Sequence, residues 1–306
     1  MSQSRFARGT SGLAALAAVA CCAVLTSNPR LRPGLLDQAV LWEEAGDVRR
    51  AEAALLEEAG RNRLFHPRWA LANFYLRQGR TAEFWRWCRE SLRVSRRDMD
   101  PVFHLCWRAS GDEAEIRAKA LPPIGGEQRR AWNKYLEFLL HTNRLDAAAP
   151  VANELARFAI NDDRPVLLAW CDRAVESGRA DKAVSAWNAI GPRAETGALV
   201  NAAFSSEPLQ RGLDWRVTPP EGVSVIRSGG LRFVFSGHQP ESAELLWQPL
   251  ASQRSFTPAP RARWEGGPMQ FEWTAEAGAI RLRYRRRTRG LVTGSYTIER
   301  VELAPR

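Results

Sequence analysis

Few residues in this chain are spaced for covalent chemistry. The four histidines, His66, His104, His141 and His238, stand far apart, and no two have the i,i+4 spacing that puts two imidazoles on one helix face for zinc. The chain contains no Gly-x-Ser-x-Gly elbow, no Gly-rich phosphate loop with its lysine and no GxGxxG run. Carboxylates such as Glu43-Glu44, Glu57-Glu58 and Asp162-Asp163 are chain neighbours. Adjacent side chains on a helix diverge, so these are poor acid–base couples. Toward the C-terminus only Glu241 and Glu244, beside Gln239, stand where a carboxylate pair would be sought. The five cysteines form no C-x-x-C pair. The expectation is a non-catalytic protein with no cofactor-binding or metal-ligating residues.

Binding chemistry is better represented. An aromatic ring can lie against the C–H face of a sugar while nearby amides and carboxylates take its hydroxyls. Trp215, Trp247, Trp264 and Trp273 are candidate platforms of this kind, and Gln239, Glu241 and Gln248 a candidate polar edge. Trp264 leads, because it sits among arginine and glycine rather than in an alternating apolar run. Trp85-Arg86-Trp87 is a second candidate. Two residues apart cannot share a helix face, so one of these tryptophans points outward, where it could anchor a protein partner.

The charge is +10, from 44 basic and 34 acidic residues, and only Lys119, Lys134 and Lys182 are lysines. Guanidinium groups hold carboxylates and phosphates in bidentate fashion. The densest cluster, Arg281, Arg283, Arg285, Arg286, Arg287 and Arg289, reads either as a site for phosphate or acidic polysaccharide or as a solvated strand face. Neither helix-turn-helix nor zinc-finger spacing is present, so nucleic acid is not an expected partner.

These residues need elements to position them. A length of 306 residues predicts two domains with sizeable cores. Arg5 and Arg8 precede an apolar stretch, Gly12 to Leu25, with Ala18-Val19-Ala20 before Cys21. That is the pattern of an export signal, or of an uncleaved N-terminal anchor with the remainder outside the cytoplasmic membrane. The expected location is therefore the periplasmic side of a bacterial inner membrane.

Next come turn residues at a regular spacing. Gly46, Gly79, Gly111, Asn143 and Gly178 are separated by 33, 32, 32 and 35 residues. Ala39, Ala72, His104, Leu136 and Cys171 stand seven before them, and Trp42, Tyr75, Trp107, Leu139 and Ala174 four before. Ala51, Phe84, Ile116, Ala148 and Ala183 stand five after. Small or apolar residues at such positions suit two helices packed across a short turn, repeated about every 34 residues. Pro122-Pro123 and Gly125-Gly126 interrupt between the third and fourth units. Cys88 and Cys106 lie symmetrically about position 97, either as a bridge or as two small buried residues in a tight interface.

This register resembles the tetratricopeptide repeat, most closely in Leu35-x3-Ala39-x2-Trp42-x3-Gly46-x4-Ala51 and Ala72-x2-Tyr75-x3-Gly79. His104, Leu136 and Phe84 depart from its pattern of small residues. The resemblance implies stacked hairpins with a concave groove that holds a protein partner.

After Pro208 the texture changes to short alternating runs, among them Leu231-x-Phe233-x-Phe235, Leu245-x-Trp247, Phe271-x-Trp273 and Ile280-x-Leu282-x-Tyr284. Seven or eight strands are expected in an antiparallel sandwich or jelly roll. Gly212-Leu-Asp-Trp215, Leu231-x-Phe-x-Phe-Ser-Gly237 and the closing Gly294 to Leu303 resemble domains similar to carbohydrate-binding modules. In bacterial envelope proteins tied to exopolysaccharide production, such domains occur joined to tetratricopeptide arrays. Ser252 to Arg263 looks short of strands beside a longer module.

The expected architecture is α then β. A signal or anchor at 1–30 precedes an α-solenoid of about five helical hairpins at 31–205 and a jelly-roll-like β-sandwich at 206–306. The expected function is an envelope scaffold, in exopolysaccharide production or export, that binds a protein partner in the repeat groove. The alternative is a carbohydrate-binding protein acting through the β-sandwich. Polysaccharide is a further partner on either reading, and an uncleaved signal would add membrane association.

Overall fold

The computed structural model describes residues 34–194, 199–252, 254–276 and 278–305. The expected signal or anchor lies outside them. Among the described residues, helices come first and two antiparallel four-stranded sheets follow. No described helix is long and apolar enough to cross a membrane.

The helices are α1 (Leu35–Glu44), α2 (Val48–Arg61), α3 (Phe65–Arg77), α4 (Thr81–Val94), α5 (Asp100–Ala109) and α6 (Glu113–Lys119), then α7 (Arg129–His141), α8 (Leu145–Arg157), α9 (Arg164–Glu176) and α10 (Ala180–Ile190). The turn inside each successive pair carries one left-handed residue. It is Gly46, Gly79, Gly111, Asn143 or Gly178, with φ of 83°, 69°, 70°, 56° and 71°. These are the five positions the spacing marks. Four of the turns close alike. The N–H of Asp47, Arg80, Arg144 and Arg179 donates to the carbonyl five residues back, on Trp42, Tyr75, Leu139 and Ala174, at 2.7–2.9 Å. A left-handed residue lets the chain reverse while the last helical carbonyls stay bonded. Asn143 serves here because asparagine tolerates that conformation better than other residues with a Cβ.

The residues seven before the turns are buried at Ala39, Ala72, Leu136 and Cys171, and all five of the residues five after are buried. His104 is exposed, so the third pair lacks a packed residue there. Its second helix, α6, has only seven residues. Pro101 and Pro165 sit in the first turns of α5 and α9, where no helical N–H partner is lost.

The chain divides into two compact units, up to Pro122 and from Pro123 onward. The division falls at the Pro-Pro/Gly-Gly interruption, inside the helical region rather than at 205/206. Helices α7–α10 belong with the strands.

The strands are β1 (Arg216–Val217), β2 (Val223–Arg227), β3 (Leu231–Ser236), β4 (Ser242–Pro249), β5 (Phe256–Gly266), β6 (Met269–Glu276), β7 (Ala279–Arg286) and β8 (Thr293–Pro305). One sheet has the order β1-β4-β7-β6 and the other β2-β3-β8-β5. Inward residues of both sheets form a single apolar cluster, including Phe233, Phe235, Leu246, Leu282, Tyr284 and Ile298. The closing strand β8 runs antiparallel to β3, with Leu231 opposite Ile298. Two details differ from the sequence reading. The stretch judged short of strands contains most of β5, an edge strand that accommodates Pro258 and Pro260 because prolines cannot complete a central ladder. A bulge between Glu244 and Leu246 buries both Leu245 and Leu246 and turns Trp247 away from the core, breaking the simple Leu245-x-Trp247 alternation.

Candidate functional site

In the first unit, Trp85 and Trp87 project from α4 in different directions, as a 100° step per residue requires. Trp85 is only 5% exposed and packs on Phe84 with ring centroids 4.8 Å apart. It is a core residue, which removes it as a candidate partner anchor. Trp87 is half-buried, with the Arg86 guanidinium 5.4 Å from its ring. Of the pair, only Trp87 and its arginine reach the surface.

In the second unit, a concavity of about 660 Å³ opens across α8, the α9–α10 turn and α10. Asp146 and Arg179 form an ion pair there at 2.6 Å, beside Asn153, Trp170 and Lys182.

The saccharide candidates on the strands are scattered rather than gathered. Gln239 is 2% exposed, accepts from Gly237 N and donates to the Val292 carbonyl, so it holds a turn and offers nothing to a sugar. Gln248 is equally committed, to the N–H and carbonyl of Val200. Trp215 is fully buried and donates to the Asn201 carbonyl. Trp273 packs on the core and donates to the Tyr296 hydroxyl. Trp264 is half-buried against Phe235 and Phe271, and its N–H is held by the Gly267 carbonyl. It closes the end of the core between Gly266 and Gly294, where an added Cβ would come within 2.5–2.6 Å of its ring. Glu241 is exposed. Glu244 is engaged by Arg281 at 2.9 Å and Arg283 at 3.6 Å.

Trp247 is the exception. On the outer face of the first sheet it stands in one row with Arg216 of β1 and Arg281 of β7, its partners across the strands. Their guanidinium carbons lie 4.6 and 5.3 Å from its ring centroid, close enough for cation–π attraction. The row borders a cleft of about 600 Å³ whose other walls come from α9, the start of α10 and the loop before β1. Asp172 on α9 organises that loop. Its carboxylate accepts from Arg211 at 2.7 Å and from the Gly212 N–H at 2.6 Å, with Arg216 3.7 Å away. Burial pulls the Arg216 pKa below its ordinary value, while Asp172, Asp214 and Glu176 act the other way. Burial also raises the Asp214 pKa, against the N–H donors of Leu209 and Trp215.

The sequence offers Trp247 as one of four candidate platforms, behind Trp264, and gives no sign of Asp172 or Arg211. Asp172 carries no motif, and only the approach of the Gly212 loop to α9 brings it to the cleft. Among the described residues, no three His, Cys, Asp or Glu side chains gather as metal ligands. No family model, curated protein or solved structure matches this chain.

Proposed function

We propose that this protein is a non-catalytic interaction scaffold of the bacterial envelope, whose paired helices form a tetratricopeptide-like solenoid that holds a protein partner. The five left-handed turns at hairpin spacing carry this reading. Side chains about one period apart also meet, Glu43 with Arg77, Arg129 with Asp163 and Asp146 with Arg179, as expected where successive hairpins stack in register. The two sheets around one core are read as a β-sandwich that gives the helices a rigid second surface. Export or N-terminal anchoring follows from the basic and apolar start of the chain, and a role in exopolysaccharide production or export from the resemblance of the two-part architecture.

The concavity across α8–α10 is the groove we assign to the partner. Photo-cross-linking in cells from Asn153 and Lys182 should give one discrete adduct with an envelope protein, and from Arg263 on β5 none. Adducts from the strand position alone would transfer partner binding to the sheets.

A further inference from the structure

The cleft beside Trp247 has a chemistry of its own. Three guanidiniums, Arg211, Arg216 and Arg281, face three carboxylates, Asp172, Glu176 and Asp181. Such a balance gives no net attraction for phosphate or a polyanion. A wholly apolar ligand would strip water from these charges without replacing its hydrogen bonds. Vicinal hydroxyls answer both signs at once, because each can donate to a carboxylate and accept from a guanidinium.

Not all of these charges are spent on one another. Glu176 pairs outside the cleft, with Arg173 at 2.8 Å, and keeps a side chain 60% exposed; the Asp181 side chain is 40% exposed, with Lys182 at 3.8 Å. Gln210 Oε1 accepts from the Val217 N–H, and its amide donors are engaged by no described residue. Gln210 is also left-handed, with φ of 60°, a strained conformation for a residue with a Cβ that sets it at the cleft wall. Trp247, Pro249 and Leu250 supply apolar surface beneath these groups. A volume of about 600 Å³ lies within the range of small-ligand sites.

We propose that this cleft, between the Arg216–Trp247–Arg281 row and the start of α10, binds a neutral saccharide. The site adjoins the helical groove assigned to a protein partner and shares Gly178 and Asp181 with it, whereas Glu176 and Trp247 line the cleft alone, so substitutions there tell the two readings apart.

The test is titration of the full chain with neutral oligosaccharides of varied linkage, followed by calorimetry, with an oligouronate and inorganic phosphate as anionic comparators. At least one neutral saccharide should bind, and Glu176→Gln or Asp181→Asn should weaken it about tenfold, as loss of a charged hydrogen-bond partner does. Both positions are solvent-exposed, so neither substitution threatens the fold. Trp247→Phe should weaken binding too, whereas Trp264→Ala should leave it unchanged when the variant's circular dichroism matches the parent. Absence of binding by every neutral saccharide at millimolar concentration would overturn the proposal. So would preference for the oligouronate or phosphate, or binding that survives all the cleft substitutions.

Discussion

At Gly212 a single hydrogen atom decides whether a helix and a loop can meet. A Cβ there would lie 2.3 Å from the Trp187 ring, and φ is +60°. Gly212→Ala should therefore cost about 3 kcal/mol, combining a left-handed alanine with an overpacked contact, as measured by urea denaturation. Gly46 is the contrasting case, equally left-handed but with open space around its absent Cβ. Gly46→Asn should cost less than about 1 kcal/mol, because the fourth turn already uses Asn143 in that conformation. Cys171 illustrates a residue whose chemistry is suppressed by its packing. Burial pushes its thiol up to about 12, so it should resist alkylation at pH 8 until the second unit unfolds.

At the scale of elements, the ties between helices are ionic as well as apolar. Asp163 is fully buried and accepts from Arg129, from Asn133 at 3.0 Å and from the Ile160 N–H at 2.9 Å, joining α7 to the start of α9. Arg129→Ala would leave that carboxylate buried without its cation and should destabilise the second unit by about 3 kcal/mol in denaturant titration. Glu43 and Arg77 tie α1 to α3 nearer the surface, and the Arg77 hydrogen bond holds the Glu43 pKa below its ordinary 4.5. A lowered carboxylate pKa stabilises the fold above 4.5 and loses that contribution as pH falls through the folded value. Glu43→Gln should remove that part of the acid limb, about 0.5 kcal/mol for a partly exposed pair. Cys88 on α4 and Cys106 on α5 are both fully buried free thiols, and burial, with the Cys106 thiol as a further cause, pushes the Cys88 thiol up. Refolding in the presence of oxidised glutathione should join them. The test is a mass loss of two hydrogens in the non-reduced chain that Cys106→Ala abolishes.

For the whole molecule, the division at Pro122/Pro123 means that the last four helices share their stability with the strands. Val200 bonds Gln248, Ala202 bonds Val301, and Trp215 bonds Asn201, so the segment after α10 is stitched into the sheets. Limited proteolysis should accordingly cut in the exposed Pro123–Gly126 stretch before it separates helices from strands near 205. Early cleavage near 205 with an intact 119–130 segment would contradict this division.

Local chemistry made much of this protein legible from sequence alone. Turn residues at a 32–35-residue spacing marked five helical pairs, because a left-handed position admits few residue types and leaves a trace in any chain. Alternating apolar residues marked most of the strands for a similarly local reason, the two-residue repeat of the pleat. The candidate site was legible only in fragments. Trp247 was visible as an aromatic in a strand, but the bulge that turns it outward depends on how β4 pairs with β7. Gln239 and Trp264 looked available because sequence shows a side chain's type and not the carbonyl that will occupy it. Asp172 and Arg211 lie 39 positions apart, and their meeting reflects how the Gly212 loop packs on Trp187. Burial and long-range pairing are properties of the packed chain, and they decided which polar groups were left to face a ligand.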